Sequence, residues 1–319
     1  MNPILKNIAL LALGSDLMVR QKLKSIRGAG VLTILNLHRV SEDDGSAYRP
    51  LEPGLFEELL IFLKENFEIT TFTNLATRCL SDKPKVIISF DDGYKDFIDV
   101  AVPILEMHKI RVNQNIIPEC VEGQLPPLNV LAQDFVGKAP LKLLSNLKIP
   151  DFDIKSFDGN RFKMGLKLSA YLKGRPFSEQ QKLREELLPQ FYSFEGFRPT
   201  PMMSREEIRE LASVHEFGAH SYSHASMEYE SDTYFQQDLQ RCKDYFRDVL
   251  NIPASIYTFP NGSYKESQIQ RALDFGYSHV LLVGNRFSRS DNRIHNRFGF
   301  HAQSRREAVF RAVGGLTRA

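Results

Sequence analysis

Two acidic residues stand side by side at the end of an apolar run, in the stretch VIISFDDGYKDF (residues 86–97). Asp91 and Asp92 are followed by Gly93, and an Asp-Gly pair is typical of a β-hairpin turn. A hairpin needs a second strand, whereas the apolar residues after Gly93 recur at spacings of three and four, as on one face of a helix. The sequence therefore favours a strand-to-helix turn, with both carboxylates at the end of a buried strand.

Two histidines lie four residues apart in the stretch HSYSH (residues 220–224). His220 and His224 at this spacing can face one metal ion, although two nearby histidines are also common on exposed loops. The glutamate of the HExxH metalloprotease motif is absent. Two histidines joined by one carboxylate from another strand would leave a position open for water, which is the arrangement of a catalytic metal site.

These side chains need a scaffold that brings distant segments together. Several short apolar runs each end in a polar cluster, and a helical pattern follows. Such alternation predicts a parallel sheet or barrel, whose active site gathers at the carboxyl ends of the strands. The predicted strands are residues 31–37 before His38 and Arg39, 85–90 before Asp91, 216–219 before His220, and 254–259 before Pro260-Asn261-Gly262.

Two segments fall outside the strand-helix alternation. Residues 118–200 are interpreted as a largely helical insertion, with prolines around helical stretches such as 163–173 and 178–191, that could wall or cover the site. Residues 1–30 are predicted to be an amphipathic helical segment that precedes a barrel domain spanning 31–319.

The N-terminal segment allows two interpretations. Its apolar stretch Ile8 to Leu13 is too short to span a bilayer, and no small-residue cleavage site follows it. Packing against the main domain is the simpler interpretation, and contact of residues 1–27 with a membrane surface is the alternative. We expect a cytoplasmic protein, with membrane association as an open possibility.

Composition excludes some classes of function. The 319 residues carry 41 Lys and Arg against 39 Asp and Glu, a formal charge of +2 without long single-sign runs, which gives no argument for a nucleic-acid partner. Cys79, Cys120 and Cys242 are odd in number and lack CxxC spacing. Buried thiols or a reducing compartment therefore fit better than a disulfide framework.

Taken in order, the segments resemble the polysaccharide deacetylase family with the NodB homology domain, carbohydrate esterase family 4. SFDDG (89–93), HSYSH and FPNGSY (259–264) carry the resemblance, and LNLHRV (35–40) is similar to the YHRV segment of many surface-polysaccharide deacetylases. The resemblance covers about residues 31–302 and is weakest across the insertion. It implies an α/β fold, a distorted (β/α) barrel of about seven strands, and Zn²⁺ or another divalent transition metal as cofactor.

The resemblance also assigns the central residues. Asp92, His220 and His224 match the metal ligands of the family, and Asp91 matches its catalytic base. The chemistry of the residue types agrees, because a metal lowers the pKa of bound water to about 7 and a neighbouring carboxylate can accept the proton.

The loop after the fourth predicted strand departs from the family pattern. Many members have Arg-x-Pro-Tyr where this chain has Thr-Phe-Pro-Asn at residues 258–261. A backbone N–H near Asn261 could still stabilise the oxyanion of the tetrahedral intermediate. The side-chain contacts of the usual Arg and Tyr are lost, so the substrate could differ accordingly.

The general acid has no clear match, because the late Leu-x-His motif of the family is not evident. His295 and His301, in the stretch NRIHNRFGFHA, and His38 are the candidates, although for each alone a structural or surface role is the more common one. Arg293 or Arg297 could orient the proposed base through a charge-assisted hydrogen bond.

The sequence thus predicts a metal-dependent hydrolase that removes the N-acetyl group from an amino sugar in a polysaccharide, oligosaccharide or lipid-linked glycan precursor. One alternative is hydrolysis of a non-sugar amide or a formyl group on the same scaffold. Another is a catalytically inactive glycan-binding protein, which the altered loop and the missing general acid suggest and the intact Asp91 opposes.

Overall fold

The computed structural model describes residues 14–76, 82–154 and 159–319. Cys79 and residues 1–13 of the predicted N-terminal segment lie outside these described residues. Cys120 and Cys242 are buried free thiols, as expected.

Parallel strands form the centre of the molecule. β1 pairs with both β3 and β8, so seven of the strands close into a barrel in the order β1-β3-β4-β5-β6-β7-β8, while β2 pairs with the first half of β3. The prediction of a distorted barrel of about seven strands is confirmed. The strands are β1 Thr33–Leu37, β2 Glu68–Thr70, β3 Lys85–Phe90, β4 Asn113–Ile116, β5 Glu216–Ala219, β6 Ile256–Thr258, β7 His279–Val283 and β8 Ile294–Gly299.

Helices cover the outside of the barrel and supply the segment between β4 and β5. The predicted helical stretches 163–173 and 178–191 are confirmed as α7 and α8. The helices are α1 Asp16–Ala29, α2 Pro53–Asn66, α3 Val102–Met107, α4 Pro118–Gly123, α5 Leu128–Lys138, α6 Leu141–Asn146, α7 Arg161–Lys173, α8 Phe177–Tyr192, α9 Arg205–Leu211, α10 Asp232–Asp244, α11 Glu266–Asp274 and α12 Arg305–Ala312.

Burial explains why the strands lack alternation. Every residue of β1 and five of the six residues of β3 are buried, as expected for parallel strands covered on both faces. β4 is also fully buried although its sequence is NQNI. The sequence pattern does not predict this strand, because its polar residues do not form an apolar run.

The insertion has an apolar cluster of its own. Helices α5, α7 and α8 pack around Phe135, Leu168 and Phe191, and the rings of Phe135 and Phe191 stack with centroids 4.7 Å apart. This cluster, called the insertion core below, fixes α7 beside the barrel.

Helix α1 packs against the barrel through its apolar face. Val19 and Ile26 are buried within the main core, and Leu17 remains exposed. No helix in the described part of the chain is long and apolar enough to cross a membrane.

Candidate metal centre and active site

A left-handed turn at the end of β3 positions the acidic pair. Asp92 has φ 77° and Gly93 has φ 84°, and the chain then enters a helical turn at Phe97–Ala101 that continues as α3. A Cβ on Gly93 would lie 3.1 Å from Cγ2 of Ile116, so this turn favours glycine for both its conformation and its space. The helix that follows confirms the strand-to-helix turn and excludes the hairpin.

Asp91 is held by partners inside the barrel. Its Oδ1 accepts hydrogen bonds from Arg297 Nη1 at 2.7 Å and Asn115 Nδ2 at 2.9 Å, and its Oδ2 accepts one from Arg297 Nη2 at 2.8 Å. Burial would raise the pKa of Asp91, but the Arg297 guanidinium and His220 hold that pKa well below its usual range. The ion pair with Arg297 therefore favours the carboxylate form of Asp91 and fixes its orientation.

Asp92 lies beside the two histidines. His220 Nε2 lies 3.3 Å and His224 Nε2 lies 3.5 Å from Asp92 Oδ1, and all three residues are buried. The other oxygen, Asp92 Oδ2, accepts a hydrogen bond from the Tyr94 hydroxyl at 2.6 Å. The turn thus gives adjacent carboxylates separate surroundings.

The three converging atoms fit a divalent metal ion. Among the described residues, buried Asp92 Oδ1 has no hydrogen-bond donor, and its distances to the imidazoles exceed the usual hydrogen-bond range. Ligand atoms about 2.0–2.1 Å from one tetrahedral ion lie about 3.3 Å from each other, close to these distances. His220 Nδ1 lies 3.1 Å from the Thr258 carbonyl oxygen, which suits a proton on Nδ1 and leaves Nε2 free to bind metal. Burial lowers the pKa of His224 to about 3, which favours the neutral, ligating form.

Asn261 lies in the turn after β6, the strand that supports His220. It has φ 61° within Pro260–Gly262, its side chain is exposed, and its Nδ2 donates to Ser226 Oγ at 3.0 Å. Its role in binding an oxyanion stays a prediction.

His295 is not brought to the acidic pair. It lies near the amino-terminal end of β8, 3.1 Å from the ring nitrogen of His279 and packed on Phe72 with ring centroids 5.2 Å apart. Burial lowers its pKa to about 3. Because active-site residues of this barrel lie at the carboxyl ends of the strands, His295 is corrected from a candidate general acid to a buried packing residue.

His38 and His301, the other two candidates for the general acid, line a cavity of about 300 Å³. The N–H of Asp91 donates to the carbonyl oxygen of Leu37 at 3.0 Å, which places the next residue, His38, near the candidate metal centre. Burial lowers the pKa of His38, and the Asp92 and Asp91 carboxylates oppose that shift. We call this space the side cavity. Its lining includes His38, Tyr48, Arg49, Gln133, Phe162, Leu166, Phe300 and His301.

Three positioning residues escaped the sequence analysis. Tyr94 binds Asp92, and Asn115 binds Asp91 from β4. Gly218 makes room for Asn115, because a Cβ there would lie 2.3 Å from Asn115 Oδ1. The signal available in the sequence was the pair of asparagines in NQNI, since buried amides in a strand require hydrogen-bond partners.

Comparison with known proteins supports the barrel fold and finds a family model that matches one segment of the chain. The fold resembles the Streptococcus pyogenes deacetylase PplD in complex with acetate, with TM-score 0.59 and 16% identity over 89% of this chain and 98% of that one. It also resembles IcaB from Ammonifex degensii, with TM-score 0.54 and 17% identity over 89% of this chain and 97% of that one. No curated protein matches this sequence. Residues 169–280, which include both candidate histidine ligands, match the family model of polysaccharide deacetylase.

Proposed function

We propose that this chain is a metal-dependent hydrolase that removes the N-acetyl group from an amino sugar in a polysaccharide, oligosaccharide or lipid-linked glycan precursor. One observation carries the proposal: Asp92, His220 and His224 converge within 4.8 Å of one another, next to the ion pair of Asp91 and Arg297. Two imidazoles and one carboxylate are a typical catalytic donor set for zinc, which is the ion we propose.

The residues of the site have separate proposed roles in amide hydrolysis. A divalent metal bound there would supply Lewis-acid chemistry, which acidifies water and polarises a carbonyl group. Asp91 Oδ2 is the atom that accepts the proton of the attacking water. From the described residues this atom accepts one hydrogen bond, whereas Oδ1 accepts two. It lies 3.9 Å from His220 Nε2, on the side of the candidate metal centre.

Two further roles complete the proposed reaction. A backbone N–H in the Asn261 turn is proposed to stabilise the oxyanion of the tetrahedral intermediate. Proton donation to the departing amine is proposed for His38 or His301, because both line the side cavity. Arg297 acts by holding Asp91 and does not itself need to contact substrate.

Acetate release from a panel of N-acetylated oligosaccharides tests this function. We expect release from the zinc-loaded protein, its loss with a chelator and its return when zinc is added back. Asp91→Asn, whose side-chain oxygen can still accept from Arg297, should bind zinc but release no acetate. Zinc-independent release, or full activity of Asp91→Asn, would contradict the proposal.

The same panel separates the alternatives. Small amides and formamides are included beside the sugars, and faster release from them would favour a non-sugar amide or formyl hydrolase. Binding of oligosaccharides without turnover by a fully zinc-loaded protein would favour the inactive glycan-binding protein.

A further inference from the structure

Helix α7 presents one face of its side chains to the region of the candidate active site. Phe162 and Leu166, on that face, line the side cavity. Lys173 lies eleven positions after Phe162, so at about 100° per residue it falls within roughly 20° of the same face. Leu168 and Leu172 pack into the insertion core and fix the orientation of the helix.

The carboxyl end of α7 is docked beside the metal centre. The N–H of Phe177, just after the turn, donates to the Glu230 carboxylate at 2.6 Å, and the Phe177 ring packs on Tyr234 with centroids 6.4 Å apart. Glu230 and Tyr234 belong to the segment that follows His224. Phe177 also lines one small cavity together with His224. The carboxyl end of α7, where Lys173 is the last residue, therefore lies close to this candidate ligand.

Lys173 carries a charge that the described protein does not neutralise by direct contact. Its side chain is half-buried and, within the part of the chain that the structure describes, makes neither a hydrogen bond nor an ion pair. It is close enough to Asp92 and His224 to interact electrostatically with both. A partly desolvated ammonium without a hydrogen-bonded anion is unfavourable, and it gains most from an anionic partner that enters from solvent.

We propose that Lys173 is a specificity-determining residue that binds an anionic group, a carboxylate, phosphate or sulfate, on the N-acetylated saccharide. This inference rests on the proposed function and specifies its substrate class as an acidic glycan. Because α7 belongs to the insertion, the preference is a property of this chain's insertion rather than of the barrel.

Kinetics on matched saccharides test the proposal. Neutral, carboxylated, phosphorylated and sulfated N-acetyl oligosaccharides are compared for the native protein, Lys173→Met and Lys173→Arg. We expect Lys173→Met to lose roughly 10- to 100-fold in kcat/KM on the preferred acidic substrate and to change little on the neutral one. Lys173→Arg should keep most of the preference. Lys163→Met, which removes an exposed lysine from the same helix, is the matched control and should leave the preference unchanged.

The outcomes separate this role from others. Equal loss on neutral and acidic substrates would show that the ammonium acts on the reaction itself and would overturn the proposal, as would an unchanged preference in Lys173→Met. The acidic substrate on which Lys173→Met loses most kcat/KM identifies carboxylate, phosphate or sulfate as the recognised group.

A binding measurement keeps this test independent of turnover. Calorimetric titration of the best acidic oligosaccharide into Asp91→Asn and into Asp91→Asn/Lys173→Met should show weaker binding to the double variant by at least about 10-fold. That result supports the inference even if no saccharide is deacetylated, in which case only the proposed function fails. Equal binding by two variants with the same circular dichroism spectrum would overturn the inference alone.

Discussion

Arg297 and Asp91 form a two-point ion pair inside the barrel, with Nη1 2.7 Å from Oδ1 and Nη2 2.8 Å from Oδ2. Both side chains are buried, and they come from β8 and the end of β3, the two strands that flank β1. The planar guanidinium fixes the orientation of the carboxylate, which a lysine could not do with one ammonium group. The ion pair therefore connects β8 to the end of β3 across β1, and it also fixes the orientation of the proposed base.

Arg297→Gln should strongly destabilise the fold. Removing one partner leaves the Asp91 carboxylate buried without its counter-charge, at a cost of about 3–5 kcal/mol in the free energy of unfolding. Urea denaturation at matched zinc content measures this cost. Asp91→Asn/Arg297→Gln should lose less than the sum of the two single losses, because neither charge remains alone. Stability of Arg297→Gln equal to that of the native protein would show that the pair is not formed as described.

Tyr94→Phe should weaken zinc binding while the fold is retained. The Tyr94 hydroxyl donates to Asp92 Oδ2, and loss of such a partner to a metal-binding carboxylate typically lowers metal affinity by roughly 10- to 100-fold. Competition with a chromophoric chelator measures the affinity. Tyr277→Phe is the matched control, since its hydroxyl donates to the Leu239 carbonyl oxygen at 3.1 Å, away from the centre. Equal zinc affinities of Tyr94→Phe and Tyr277→Phe would show that the Tyr94 hydroxyl does not support metal binding.

His295→Gln should change the pH dependence of stability and leave turnover within a few-fold of native. The folded-state pKa of His295, about 3, lies below the ordinary value, so its neutral form contributes stability above pH about 6.5. That contribution is lost as the pH falls toward 3, because the unfolded chain takes up the proton first. The variant should therefore show a shallower fall of Tm between pH 7 and 4. Lost turnover with an unchanged Tm profile would instead return His295 to the role of general acid.

The residues that sequence analysis found are those whose chemistry is unusual for their surroundings. Carboxylates and imidazoles at the ends of apolar strands are costly to bury without a purpose, so Asp91, Asp92, His220 and His224 could be singled out by type and position. The structure places the last three of them together.

The height of a side chain along the barrel axis was harder to predict than the face of the strand on which it lies. His295 and Arg297 point to the same side of β8, but residues two apart in a strand differ in height by roughly 7 Å. Arg297 therefore reaches Asp91, whereas His295 contacts His279 near the amino ends of the strands. The spacing of these residues in the sequence predicts that they share one face of β8. It does not predict which residues of the neighbouring strands lie at the same height in the barrel.

The contact between Tyr94 and Asp92 depends on a local backbone conformation that the sequence pattern does not predict. Its spacing to the apolar residues that follow predicts the first position of a helix face, but the left-handed turn delays the helical conformation to Phe97. The Tyr94 hydroxyl is thereby directed back to Asp92. A pattern of apolar spacing does not contain the sign of φ at Asp92, so this contact required the structure.

The position of a bound metal ion tests the proposed set of ligands. A crystal structure of the zinc-loaded protein, with anomalous data at the zinc edge, should show one ion about 2.0–2.2 Å from Asp92 Oδ1, His220 Nε2 and His224 Nε2. Asp91 should remain bound to Arg297 and should not ligate the ion. Zinc bound elsewhere, or coordinated by Asp91 in place of Asp92, would contradict this set of ligands.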